Sequence, residues 1–259
     1  MQAVDIRSSF EATGVVRLQG AFTPEQAAAM QEAVWRHAER QAGLRPGDPA
    51  TWTGSPVLNW QGLKRNAAFR PLADNPSVSD AMDVIFGAGG WQRPRPGAQI
   101  LFSLPEPGPW VLPDSWHMDC GFERATWPVL ELKIFAFVGE VGPRGGGTMV
   151  LAGTHRLVDR YRDGLPAPVG AGKENWLPFM CHHPWLARLI DGASLPDHGR
   201  SLVGEVGEID GVPVQLLELT GSPGDVVITH PHIFHARSPN TGTVPRLMLG
   251  KEIRRAAGT

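Results

Sequence analysis

Early in the chain, apolar positions recur with a helical period. Thr23-Pro24-Glu25-Gln26 opens that stretch with an N-cap hydroxyl, a proline at the first helical position and a glutamine three residues past the cap, a capping box. The spacing predicts a helix to about Gln41 with Ala27, Met30, Val34 and Ala38 on one face, stopped by Gly43 and Pro46. A short strand, Gly14 to Leu18, precedes it, and a second helix is predicted from Asn75-Pro76 to Gly87, presenting Ala81, Met82 and Ile85. From about residue 91 the pattern changes. Runs at 99–103, 129–138, 148–151, 212–219, 225–229 and 246–253 read as short strands, separated by Gly/Pro turns such as 143–147 and 221–224. Residues 174–190 interrupt them as a helical segment. The pattern predicts a mainly β protein with flanking helices, a sandwich or jelly-roll, in one domain over 1–259. The helical insertion, about 160–210, is either a lid or a packing element that covers a sheet edge.

Composition narrows this picture by exclusion. A chain of 259 residues with 42% apolar positions can bury one sizeable core. Its 24 Lys+Arg and 26 Asp+Glu leave a net charge of −2, so no overall basic excess points to nucleic acid or an anionic membrane, and a small molecule is the expected partner. Two cysteines, Cys120 and Cys181, cannot make a disulfide framework or a cysteine-based zinc cluster. The 31 Gly and 24 Pro imply many turns, and nine Trp with ten Phe exclude disorder. The first twenty residues carry Asp5, Arg7, Glu11 and Arg17 and no apolar run suited to a signal peptide, so a cytoplasmic location is the default expectation.

Two segments carry candidate chemistry. In Ser115-Trp-His-Met-Asp-Cys-Gly121, residues i and i+2 share a face if the stretch is a strand, so His117 and Asp119 can aim at one metal ion. Alone this is weak, since about one such pair is expected by chance in this composition. His37-Ala-Glu39 is a second match, but on a helix its members lie about 200° apart and cannot share a ligand; His37 is expected to be solvated. The second segment, 224–249, reads as a strand, a turn, His235, and Arg246 eleven residues on. His235 would complete a 2-His-1-carboxylate set suited to Fe(II) with open positions opposite. A buried arginine is then suited to the far carboxylate of a chelated 2-oxoglutarate, through its planar fork. A rival reading takes His230, His232 and His235 as a three-histidine zinc site of a hydrolase. Pro231 breaks the strand there, and that reading gives Asp119 and Arg246 no role.

On Trp116-His117-Met118-Asp119, on Gly145 to Arg156, and on His235…Asn240…Arg246, the sequence resembles the phytanoyl-CoA dioxygenase-like (PhyH) branch of the Fe(II)/2-oxoglutarate-dependent oxygenases. The resemblance runs from about residue 10 to 253 and is thin in 44–90 and 160–210. It implies a double-stranded β-helix (jelly-roll, cupin-like), with iron held by His117, Asp119 and His235. Arg246 would take the distal carboxylate of 2-oxoglutarate, with Gln99, Thr148 and Phe135 as further contacts to that co-substrate. The implied reaction uses O2, converts 2-oxoglutarate to succinate and CO2, and hydroxylates, or otherwise oxidises, a C–H bond of a small metabolite. Asp119 stands where related halogenases have a small residue. The chain departs from the family at Arg237, where a small hydroxyl residue is usual, and at Ala152, where proline is usual. His155 is then structural, Cys120 packs inward, and His182-His183 face solvent. Trp60, Trp116 and Trp176 are candidate pocket residues by placement. A jelly-roll that binds a ligand without turnover is the remaining alternative.

Overall fold

The computed structural model describes residues 3–53, 56–167 and 169–257. In chain order its elements are α1 (Ala3–Thr13), β1 (Val15–Leu18), α2 (Pro24–Ala42), α3 (Pro76–Phe86), β2 (Trp91–Gln92), β3 (Gln99–Ser103), β4 (Glu131–Phe137) and β5 (Thr148–Ala152). They continue with α4 (His155–Asp163), α5 (Lys173–His182), α6 (Pro184–Ile190), β6 (Val206–Ile209), β7 (Val212–Glu218), β8 (Val226–Thr229), β9 (His235–Arg237) and β10 (Arg246–Arg255).

Two antiparallel sheets form. The larger has the order β1-β8-β4-β10-β2, with β3 also paired to β10; the smaller is β6-β7-β5-β9. Strand alternation assigns each side chain to a layer. On β4, Leu132, Ile134 and Ala136 join the core beneath α1, α2 and α3, while Phe135 and Phe137 face inward with Val227 and Met248. On the smaller sheet, Val150 meets that interior, whereas Met149 and Leu151 face the opposite way, into a core shared with α4, α5 and α6. The result is a double-stranded β-helix jacketed by helices on both outer faces.

Local sequence explains the helix ends. Gln26 N–H donates to Thr23 Oγ1 (3.3 Å) and Thr23 N–H donates to Gln26 Oε1 (3.0 Å), so the expected capping box is formed. α2 ends where Gly43 turns left-handed at φ 68°. Asn75 caps α3 by accepting from Val78 N–H at 3.0 Å. α5 and α6 occupy the expected helical segment; they bury Trp176, Phe179, Met180, Leu186 and Leu189, and Phe179 stacks on Phe234 at 5.4 Å.

Three expectations need correction. His37 is buried rather than solvated: the loop after residue 56 folds back on α2, Trp60 stacks on the ring at 5.4 Å, and Nε2 meets Asn59 O at 2.8 Å. Trp116 and Trp176 sit in the outer core of the smaller sheet rather than on a pocket wall, and Trp60 packs against the core of the larger one.

Candidate functional site

The segment 115–119 is not the regular strand that the i, i+2 argument presumed. It is an extended stretch tied to β9 by one bridge: His117 N–H donates to His235 O (3.0 Å), and His235 N–H donates to His117 O (2.9 Å). Asp119 N–H then donates to Pro231 O at 3.1 Å. The alternation survives without a ladder. Trp116 and Met118 are buried in the outer core, and His117 and Asp119 turn the other way, toward His235.

The rings of His117 and His235 stand 4.2 Å apart between centroids, and His235 Nε2 lies 3.8 Å from Asp119 Oδ1. His117 Nδ1 is 3.1 Å from Ser115 O, and His235 Nδ1 is 3.1 Å from Ile233 O. A carbonyl only accepts, so each Nδ1 carries the proton and each Nε2 keeps its lone pair. His235 Nε2 is buried without a hydrogen-bond partner. Burial pulls the His235 pKa down to about 4, with Asp119 opposing, so the ring is neutral at neutral pH. Two imidazoles and a carboxylate are a donor set that suits Fe(II). Among the described residues, no three His, Cys, Asp or Glu side chains stand, as placed, in an arrangement that holds a metal ion. Asp119 Oδ1 is instead taken by Lys133 Nζ at 3.0 Å, a largely buried ion pair.

Arg246 opens β10 and is 4% exposed. Its Nη1 donates to Gly146 O at 2.6 Å, while Nε is buried without a partner. Burial draws its pKa down to about 10, Arg237 adds to this and Glu106 opposes it, so it stays cationic at neutral pH. A buried guanidinium facing no carboxylate is costly, and a bound carboxylate relieves that cost. Ser103 lies directly across the ladder from Arg246, and its buried Oγ also has no partner.

Of the other sequence candidates, Phe135 brings its ring 6.3 Å from that of His235 and within 5.6 Å of Lys133 Nζ. Thr148 is buried and pairs with Arg237, one inward position along β9 from His235. Gln99 pairs with Gly250, at the opposite end of β3 from Ser103 and Arg246. Arg237 reaches outward to Glu106 at 2.9 Å. His230, His232 and His235 do not converge: His230 Nε2 meets Thr126 O (3.2 Å), His232 Nε2 meets Gly121 O (3.1 Å), and only His235 faces His117. The His230 ring packs instead with Phe10, Trp127 and His155. Cys120 donates to Glu131 Oε1 at 3.1 Å, and burial together with that carboxylate pushes its pKa up to about 12, an inert thiol.

Lys133 and Ser103 are site residues that motif reading passed over. A signal for each was present. Lys133 is a cation on the same face of β4 as Phe135, and alternation puts Ser103 on the same face of β3 as Gln99, the residue the resemblance pointed to.

The family model described as Phytanoyl-CoA dioxygenase (PhyH) matches residues 10–248. None of the curated protein sequences matches. Among solved structures, the chain is similar to the epimerase SnoN in complex with Fe3+, alpha ketoglutarate and nogalamycin RO, at 16% identity and a TM-score of 0.58 over 97% of this chain and 83% of that one. It is similar to the alpha ketoglutarate dependent carbocyclase SnoK from nogalamycin biosynthesis, at 17% identity and a TM-score of 0.56 over 99% and 85%. It is also similar to AviO1 from Streptomyces viridochromogenes Tue57, at 16% identity and a TM-score of 0.55 over 100% and 97%. At such identities these likenesses speak for the fold. The family match spans nearly the whole sequence, and with it the chain belongs to the phytanoyl-CoA dioxygenase family of Fe(II)/2-oxoglutarate-dependent oxygenases that use O2.

Proposed function

We propose that the protein oxidises a C–H bond of a small-molecule substrate, with hydroxylation as the outcome, using His117, Asp119 and His235 as iron ligands and Arg246 as the anchor for 2-oxoglutarate. The observation that carries this reading is the orientation of these groups. Both histidines spend Nδ1 on a carbonyl, His235 Nε2 is left buried without a partner beside Asp119, and Arg246 Nε is left buried without one on β10 of the larger sheet. Bound iron supplies activation of O2, coupled to conversion of 2-oxoglutarate to succinate and CO2. The chain's own share is orientation and exclusion. Ser115 O and Ile233 O fix the ring tautomers, Lys133 steadies the Asp119 carboxylate, and Ser103 and Thr148 offer hydroxyls toward the co-substrate. Phe135 and Met248 make the surrounding wall apolar, which keeps bulk water from the reacting groups.

SnoN is an epimerase and SnoK a carbocyclase, so removal of a substrate hydrogen on this fold has outcomes besides hydroxylation. Product mass decides between them, because hydroxylation adds one oxygen atom from O2. The site itself is tested without substrate. Anaerobic addition of Fe(II) and 2-oxoglutarate is expected to raise a weak visible charge-transfer band that Asp119→Ala and Arg246→Ala each lose. Absence of the band, with iron content unchanged in Asp119→Ala, sinks the reading. Substrate-dependent succinate release separates an enzyme from a ligand-binding relative.

A further inference from the structure

A cavity of about 510 Å³ has Lys133, the ion-pair partner of Asp119, in its wall, and that wall is basic out of proportion to the rest of the molecule. Seven of its fifteen lining residues are Lys or Arg and one is acidic, in a protein whose net charge is −2. Some of these cations are already matched. Arg93 pairs with Asp74 (2.7 Å), and Arg254 pairs with Glu131 and Glu252 (both 3.4 Å). Lys251 donates to Arg95 O, and Lys133 holds Asp119. Lys64, Arg65 and Arg95 have no ion pair among the described residues, and all three are exposed.

The fold builds this convergence deliberately close. β10 pairs with β3 up to Gly250 and with β2 from Arg254, and the connecting segment 93–98 bulges out across the gap. Ala98 N–H donates to Lys64 O at 2.9 Å, and a Cβ on Gly97 would stand 2.3 Å from that same carbonyl. Only a residue without a side chain permits that approach, which sets Lys64 and Arg65 beside Arg95. At the inner end, Gly250 leaves the floor open between Gln99 and Phe135; a Cβ there would come 3.2 Å from Gln99 Oε1. Lys133 lines the same cavity and pairs with Asp119 at 3.0 Å, so the cavity reaches from the three unmatched cations to the partner of one candidate ligand.

We propose that this cavity is the substrate subsite and that it selects a substrate bearing a phosphate or carboxylate group. Lys64, Arg65 and Arg95 take the oxyanion, and the carbon to be oxidised points inward past Gln99 toward Lys133. The volume admits a small metabolite. The anion is remote from Arg246, which stands four residues from Gly250 along β10, roughly 13 Å at strand rise, so substrate and 2-oxoglutarate engage separate cations. As a substrate assignment the proposal rests on the oxygenase reading above.

The experiment titrates metal-free full-length protein with inorganic pyrophosphate and, separately, with citrate, followed by calorimetry. Saturable binding of one or both is expected, at least tenfold weaker in Arg65→Ala/Arg95→Ala and unchanged in Arg36→Ala/Arg40→Ala, which removes the same charge from α2. The anion that binds tighter tells phosphate from carboxylate. No binding of either, or equal weakening by both double variants, overturns the proposal. Because these titrations contain neither metal nor 2-oxoglutarate, they stand apart from the iron reading. A parallel titration of 2-oxoglutarate into the Mn(II)-loaded protein tests that reading alone.

Discussion

Two groups of histidines sit around β9 and have opposite chemistry. His155, His230 and His232 give Nε2 to the carbonyls of Glu11, Thr126 and Gly121. His117 and His235 give Nδ1 to the carbonyls of Ser115 and Ile233. In the first group, the outer nitrogen is spent on backbone and the ring is sealed into the core. The unpartnered Nδ1 of His155 has no room beside it, since a Cβ on Gly14 would lie 2.7 Å away. In the second group, the inner nitrogen is spent locally, and the outer one of His235 is left facing Asp119. His235 shares its burial with the first group, whereas His117 is exposed. What separates a structural histidine from a candidate ligand is which nitrogen the backbone claims.

The contrast can be broken most sharply at His235. His235→Ala is expected to abolish 2-oxoglutarate turnover and lower iron affinity beyond about 100-fold, whereas His232→Ala keeps one iron per chain by metal analysis. A His232 variant that loses iron as completely would merge the two groups. Next in size is His230→Ala. Emptying that fully buried ring site is expected to cost about 3 kcal/mol of stability, read as a lower denaturant midpoint, with the charge-transfer band intact.

Acid probes the sealed group as a whole. Burial holds His155 at about 4 against its ordinary 6.5, and holds His230 and His232 below their ordinary value too. Below pH 6.5 the unfolded chain takes up protons that the folded one refuses. Their stabilisation is therefore complete above that pH and is lost as pH falls toward 4. For His155 the loss by pH 4.5 amounts to about 2–3 kcal/mol, and unfolding free energies of metal-free protein should show a slope that His155→Asn shallows. The smallest effect is expected from Lys133→Met. It removes a partner of Asp119 but no candidate donor, so iron affinity should fall roughly tenfold with the band retained; a loss matching that of His235→Ala would make Lys133 indispensable to the site.

Much of this is legible in the sequence, and the exceptions share a cause. β3 begins and ends where its apolar run does, and Thr23, Gln26, Gly43 and Asn75 mark helix ends by local hydrogen bonds. His117, Asp119 and His235 come together as their spacing suggested. β9 could not be read, because three residues show no period and their strand character comes from β5 and from His117. α1 was equally hidden: its turns mix serines and charges with the few apolar positions that pack. His37 was misread for a related reason. Its helical geometry was right, but burial came from a loop more than twenty residues away. The basic cavity wall joins residues 64–65, 92–99 and 250–254, a convergence no single window of sequence contains.

The bridge between His117 and His235 also sets a timetable. It joins positions more than a hundred residues apart by two backbone hydrogen bonds. Such a closure comes late, after the entropy of a long loop has been overcome. On the ribosome, where domains form as the chain emerges, His117 and Asp119 wait for this partner until the more than one hundred residues in between have been made. A chain truncated before residue 235 would carry two of the three candidate donors, His117 and Asp119, without the strand that aligns them.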